Sequence, residues 1–349
     1  MQQHTFWQSA YTGFVGFKRL VYTFFSQRVL RSGKRVLALL SLCVLISSMI
    51  TTQGTPRAFA AAAKPQTDWS FYIYSTSTTT AYNLGCSQGK FDASFSPVVN
   101  SEVILSFGEQ YNSDGSGGVV LLNNTVISNA QVEGLAEAFA HGYWYCTGSD
   151  STSVLNLAIG TSNYGNATPA SGKTWANDVA AVQASNRSNG YASQVGMLGA
   201  YDMESWCPNH CVTPSGAMAW ESGFGSVSGG YKYLDYGSAD GCPQTTASNG
   251  GCSGGWKQSD YWYLSWGATP ALPVPEIYVT AQAQQWAMIS LYGAQSQGAR
   301  LYMQGPLDEY DLDTTTLTAS QAWSYLWTNL NNNAATTDTP PYSLEIHND

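Results

Sequence analysis

Two acidic residues two positions apart, Asp202 and Glu204, follow the apolar run Val195–Tyr201. In an extended strand, residues i and i+2 project to the same side, about 6.6 Å apart along the chain. Two carboxyls held that close in an aromatic surround do not both ionise freely, and the more buried one is pushed toward keeping its proton. Cleavage of a glycosidic bond needs such an acid. The competing reading of a D-x-E is an ion pair or an acidic residue at a helix N-terminus. Further acids stand at the ends of other apolar runs: Glu109 after Phe107-Gly108, Asp235 with Asp240 beyond it, and Asp308, Glu309, Asp311 and Asp313. Only 11% of the chain is charged, so this concentration is the strongest functional signal in it. The catalytic candidates are Asp202, Glu204, Asp235 and Asp311. Glu109, Tyr236, Trp266, Gln285, Trp286 and Asp308 are the candidates for holding a substrate. No metal and no cofactor is expected.

Positioning these residues requires an alternation of strands and helices. The sequence predicts eight strands, at Phe71–Ser75, Val103–Phe107, Val154–Ile159, Val195–Tyr201, Tyr231–Tyr236, Tyr261–Trp266, Trp286–Tyr292 and within Leu301–Leu312. Between them, Val132, Leu135, Ala136 and Phe139 recur at helical spacing behind a Ser128/Gln131 capping box, with Gly142 as a stop. Trp175, Val179 and Val182 mark a second helix ending near Gly190, and a shorter one covers Ala217 to Phe224. Trp323, Leu326, Trp327 and Leu330 form an apolar stripe behind a Thr318/Gln321 capping box. Strand and helix alternating about eight times predicts an α/β fold, a single (β/α)8 TIM-type barrel whose reacting face lies at the C-terminal ends of the strands. No glycine-rich phosphate turn follows the first strand, where the chain runs Thr-Ser-Thr-Thr-Thr, which disfavours an open doubly wound sheet.

Seven of the 14 basic residues and none of the 23 acidic ones lie in residues 1–60. Lys34-Arg35 precede an apolar run from Val36 to Ile50, and Ala58-Phe59-Ala60 supplies small residues for cleavage, so residues 1–60 read as a signal peptide with a long basic leader. An uncleaved anchor is the rival reading, and a lipoprotein through Cys43 a weaker one, because Leu42 stands where a small residue is wanted. Residues 61–70 read as a linker, 71–330 as the barrel, and 331–349 as a polar, loosely ordered tail. No stretch of the mature chain is apolar enough to span a membrane. The acidic body repels polyphosphate, which puts DNA and RNA at the bottom of the list of partners. Six cysteines follow the leader: Cys86, Cys146, Cys207, Cys211, Cys242 and Cys252. In an oxidising compartment they suggest up to three disulfides, with 207–211, 242–252 and 86–146 the economical pairs, though spacing does not fix the connectivity. A metal site around Cys207, His210 and Cys211 is the alternative, at a spacing that matches no zinc pattern.

The segment Leu198-Gly199-Ala200-Tyr201-Asp202-Met203-Glu204, then Trp220, then Tyr231-Lys232-Tyr233-Leu234-Asp235-Tyr236-Gly237-Ser238, resembles the middle of the glycoside hydrolase family 25 lysozymes and related glycoside-hydrolase-like barrels. Tyr263-Leu264-Ser265-Trp266-Gly267, Gln284-Gln285-Trp286 and Gly305 to Asp313 are similar in order and spacing to that family's late strands. The resemblance spans about residues 195–315, and the D-x-E is its specific part. It implies that Glu204 protonates the leaving oxygen, that Asp202 orients an N-acetyl group or stabilises positive charge, and that Asp308 or Asp311 fills the acidic position on the final strand. Such barrels place an Asp at the end of the first strand, where this chain has Phe71-Tyr72-Ile73-Tyr74-Ser75, and the chitinase-type pattern is missing Asp at Met197 and Ala200.

Twelve Trp and 22 Tyr offer rings that stack on sugars as readily as they pack a core; Trp144, Tyr145, Trp206, Tyr236, Trp262 and Trp266 fall near strand ends. His141 reads as a helix C-terminal cap, and the sequons at Asn123, Asn166 and Asn186 imply surface loops only in a glycosylating host. The expectation is a secreted or cell-wall-associated hydrolase acting on an extracellular polysaccharide, peptidoglycan first and a plant-type glucan after it. A non-catalytic barrel that recognises cell-envelope glycan is the alternative.

Overall fold

In the computed structural model the described residues are 62–148, 152–162, 167–205, 211–227, 229–310 and 316–349. The leader, Trp206, Cys207, His210, Asp311 and Asp313 lie outside them, as does Asn166. Eight parallel strands form one curled sheet: β1 (Thr67–Tyr72), β2 (Ser101–Ser106), β6 (Leu155–Thr161), β7 (Val195–Tyr201), β8 (Tyr233–Asp235), β9 (Ala271–Pro273), β10 (Leu307–Glu309) and β11 (Ser343–Asn348). The hydrogen-bonded order is β10-β11-β1-β2-β6-β7-β8-β9. Beyond β9, a parallel bridge pairs Glu276 with Leu307, and Leu307 N–H donates to Pro275 O at 2.9 Å. A small antiparallel sheet, β3 (Glu109–Gln110), β4 (Val119–Val120) and β5 (Val126–Ile127), follows β2.

Among the described residues, seven α-helices pack outside the sheet: α1 (Thr78–Ala93), α2 (Asn129–Cys146), α3 (Pro169–Ser188), α4 (Pro214–Gly225), α5 (Gln258–Trp262), α6 (Thr280–Tyr292) and α7 (Ala319–Asn331). The expected capping boxes at Ser128/Gln131 and Thr318/Gln321 are present. Strands buried on both faces read as near-continuous apolar runs, and β6 and β7 do so. One face meets the helices through residues such as Leu157, Trp175, Val179 and Trp220. The other encloses Ile104, Ala158, Ala200, Leu234, Tyr236, Val274, Leu344 and Ile346. Helices α1 and α2 lie against each other closely enough that a Cβ on Gly89 would collide with the Tyr143 carbonyl, and the Cys86–Cys146 disulfide joins them. Cys242–Cys252 is the second disulfide, and Cys211 is also disulfide-bonded.

Four expectations change. Tyr261–Trp266 is not a strand but the end of α5 and a wide turn, because Asp260 accepts from the Lys257 N–H and starts a helix. Trp286–Tyr292 belongs to α6, whose start is held by Gln282 Oε1 accepting from the Tyr278 and Val279 N–H groups. The strand between them is Ala271–Pro273. The tail contributes β11, which pairs residue for residue with β1 from Thr67↔Ser343 to Tyr72↔Asn348, and the supposed linker already holds the start of β1.

Candidate active site

The C-terminal ends of β7, β8 and β9 bring three carboxyls together. Asp202 leaves β7 with its N–H on the Thr161 carbonyl at 3.0 Å, and Glu204 follows two residues on. Gly237 after β8 lies so near this loop that a Cβ there would strike the Met203 carbonyl, which lets the two strand ends converge. Glu276 reaches the same point from beyond β9, with its N–H on Gly237 O at 3.2 Å. One oxygen of each of Asp202, Glu204 and Glu276 lies within 4.8 Å of the others.

Burial, then the negative charges of Glu204, Asp235 and Glu309, hold the Asp202 carboxyl well above the usual carboxylate range. Its Oδ1 is enclosed and has no hydrogen-bond partner. Burial likewise raises Glu276, followed by the charges of Glu204 and Asp202 and a direct hydrogen bond to Glu204; the Tyr278 hydroxyl opposes this by donating to it. Two carboxyls hydrogen-bonded to each other must hold a proton between them, so the cluster stores an acid. Tyr72, on β1, donates to Glu309 Oε2 at 3.5 Å, and burial lifts Glu309 as well.

The sequence-predicted residues divide sharply. Asp202 and Glu204 meet as expected. Asp235 sits on the opposite face of β8 from Tyr236; it is fully buried and accepts from Ser265 Oγ at 2.5 Å. It is pushed up to about 7 by burial, against the hydrogen bonds from Ser265 and two backbone N–H groups, and acts on Asp202 only through charge. The Tyr236 hydroxyl faces the interior and is committed to Ser106 Oγ at 2.9 Å and Thr161 O at 3.2 Å. Asp308 turns away toward Glu345 and is raised to about 7 by its own burial. Glu309, its neighbour, is the β10 acid that acts on the cluster. Glu109 lies in the small β3 sheet, where its charge acts on Tyr201. Trp286 is core, edge-on to Tyr261 at 5.7 Å, and Gln285 is buried beside it on α6. Trp266 packs on Tyr302 at 5.0 Å; each precedes its strand by five residues, toward the N-terminal ends of the sheet.

Sequence reasoning missed Glu276 and Tyr278 as members of the site, and noted Glu309 among the strand-end acids without giving it a role. Behind β11, the Asp349 carboxylate accepts the Tyr74 and Ser75 N–H groups that follow β1. The signal for Glu276 was its isolation: between Asp260 and Asp308 it is the one acidic residue. No family model, curated protein or solved structure matches this chain.

Proposed function

We propose that this protein hydrolyses an extracellular polysaccharide, with peptidoglycan or a related N-acetylated glycan as the favoured substrate. The observation that carries the reading is the triad Asp202, Glu204 and Glu276, mutually within 4.8 Å at the strand ends. The curled eight-stranded sheet, with its Glu276–Leu307 bridge, is read here as a complete (β/α)8 barrel, whose reacting face is that rim. Glu204 gives the proton it shares with Glu276 to the leaving oxygen as the C–O bond breaks, and a water molecule then bonds to the anomeric carbon and returns a proton to the Glu204–Glu276 pair. Asp202, beside it, orients the substrate's N-acetyl group.

A second reading, a barrel that binds glycan without cutting it, rests on the first strand, whose end Phe71-Tyr72-Ile73-Tyr74-Ser75 carries no carboxylate. Reducing-end release from purified peptidoglycan, run beside Glu204→Gln, separates the two. Release that falls about 10²–10⁴-fold in the variant supports hydrolysis. Equal release from both proteins removes Glu204 from the role, and binding without release from either supports recognition alone.

A further inference from the structure

A second carboxyl cluster closes the opposite end of the sheet, and its hydrogen bonds do not balance unless it carries protons. Ser101 Oγ at the start of β2 lies 2.8 Å from Asp68 Oδ1 on β1 and 2.8 Å from Asp92 Oδ1 on α1. It also receives Gln88 Nε2 at 3.0 Å. A hydroxyl has one hydrogen to give. With both carboxylates ionised, one of the two 2.8 Å contacts would have no hydrogen in it. The other oxygens are already engaged: Asp68 Oδ2 accepts the Glu102 N–H at 3.0 Å, and Asp92 Oδ2 accepts the Tyr143 hydroxyl of α2 at 2.7 Å. One of the two aspartates is therefore a carboxylic acid that donates to Ser101. Beside them Glu102 is wholly buried, and neither carboxyl oxygen has a hydrogen-bond partner at proper geometry. The nearby Asn156 amide favours the ionised form, but it donates to the Tyr342 hydroxyl at 3.3 Å. Only the neutral form tolerates such an arrangement.

The charged and titratable groups around this network come from every element packed on it. They are Asp68 (β1), Asp92 (α1), Glu102 (β2), Tyr143 (α2) and Tyr342 ahead of β11; the charge that acts on Lys64 is Glu345. Among the described residues no cation pairs with Asp68, Asp92 or Glu102.

We propose that this cluster is a proton-held clamp, joining α1 and α2 to β1 and β2 while protonated and weakening as its protons leave. Burial raises Asp68 and Glu102 to about 8 each. A carboxyl raised in the folded state binds a proton that the unfolded chain has already released. Its stabilisation is therefore complete below the unfolded value near 4 and is lost as pH climbs to the folded value. The clamp gives the molecule its greatest stability in acid.

The test compares unfolding of the wild-type chain with Asp68→Asn and Glu102→Gln between pH 5 and 8. The amide introduced by Asp68→Asn reproduces a protonated Asp68, because its NH2 donates to Ser101 while its oxygen accepts from the Glu102 N–H. The expected result is that the wild-type unfolding constant rises with pH, and that the ratio of wild type to either variant grows by up to about tenfold per pH unit per proton removed. Hydrogen exchange at the Glu102 amide, corrected for its intrinsic base dependence, should accelerate with pH in wild type and less in Asp68→Asn. A ratio independent of pH in both variants overturns the proposal. If one variant does not fold, the other and the wild-type exchange profile decide.

Discussion

The two ends of the sheet hold carboxyl clusters of similar size and opposite character. At the lower end, Asp68 and Asp92 are boxed by Ser101, Gln88, Tyr143 and a backbone N–H, each fully buried oxygen of the pair finding a partner. At the upper end, Asp202 and Glu204 remain partly open, and Asp202 Oδ1 is aimed at nothing in the protein. Both clusters store protons, because burial favours neutral carboxyls wherever no cation compensates. What differs is that the Asp68–Asp92 pair has its hydrogen bonds closed, with wholly buried Glu102 beside it kept neutral, whereas the rim holding Asp202 and Glu204 is partly open. The closed pair spends its proton on holding elements together, whereas the partly open cluster leaves an acid for something that comes from outside.

Substitutions that act on one end and spare the other break this contrast or sharpen it. The largest effect expected is that of Glu204→Gln, which should cut glycan hydrolysis by about 10²–10⁴-fold with the melting temperature unchanged; a matched loss of stability would make the upper cluster structural too. Ser101→Ala should do the reverse, destabilising the fold by about 1–3 kcal/mol in chemical denaturation through the carboxyls it leaves unsatisfied, with little change in turnover. Glu276→Gln removes a like charge from the upper cluster. The alkaline limb of the rate profile should then move to lower pH, since the remaining carboxyls give up their proton more readily. Asp235→Asn is the smallest of the four in turnover: its amide oxygen still accepts from Ser265 while its NH2 now faces the backbone N–H groups of Met203 and Gly237, so stability should fall by about 1–2 kcal/mol in chemical denaturation with hydrolysis little changed.

How far these two ends could be read from sequence follows from the strands that build them. Asp202 and Glu204 were legible because β7 is a seven-residue apolar strand with the acids directly behind it. Glu276 was not, because β9 is three residues long and ends in proline, with Pro275 just beyond, so no alternation develops and proline argues against a strand. The aromatic runs on either side took its place, since short apolar runs do not distinguish strand from helix. The lower cluster was hidden for a different reason. Asp68, Asp92, Ser101 and Glu102 are ordinary polar residues in sequence, and α1, which carries Asp92, shows little amphipathic pattern and contains Gly85 and Gly89 where close packing on α2 requires them. Its N-cap, Ser77 accepting the Thr80 N–H, was the available signal. In β11 the alternation of Leu344 and Ile346, both interior, with Glu345 and His347 was likewise present but masked by its polar, proline-containing surroundings.

The pairing of β11 with β1 has a consequence for the connectivity of the molecule. Partners such as Thr67 and Ser343 are 276 positions apart in the chain and neighbours in the sheet, so much of the folding barrier is the search that brings the first strand to the last, a contact of very high order. Among the described residues the first and last strands lie side by side within the curled sheet. A connector of a dozen or more residues, the usual reach between parallel neighbours, would join them, and the chain could then be opened at a surface loop elsewhere to give a circular permutant with the same sheet.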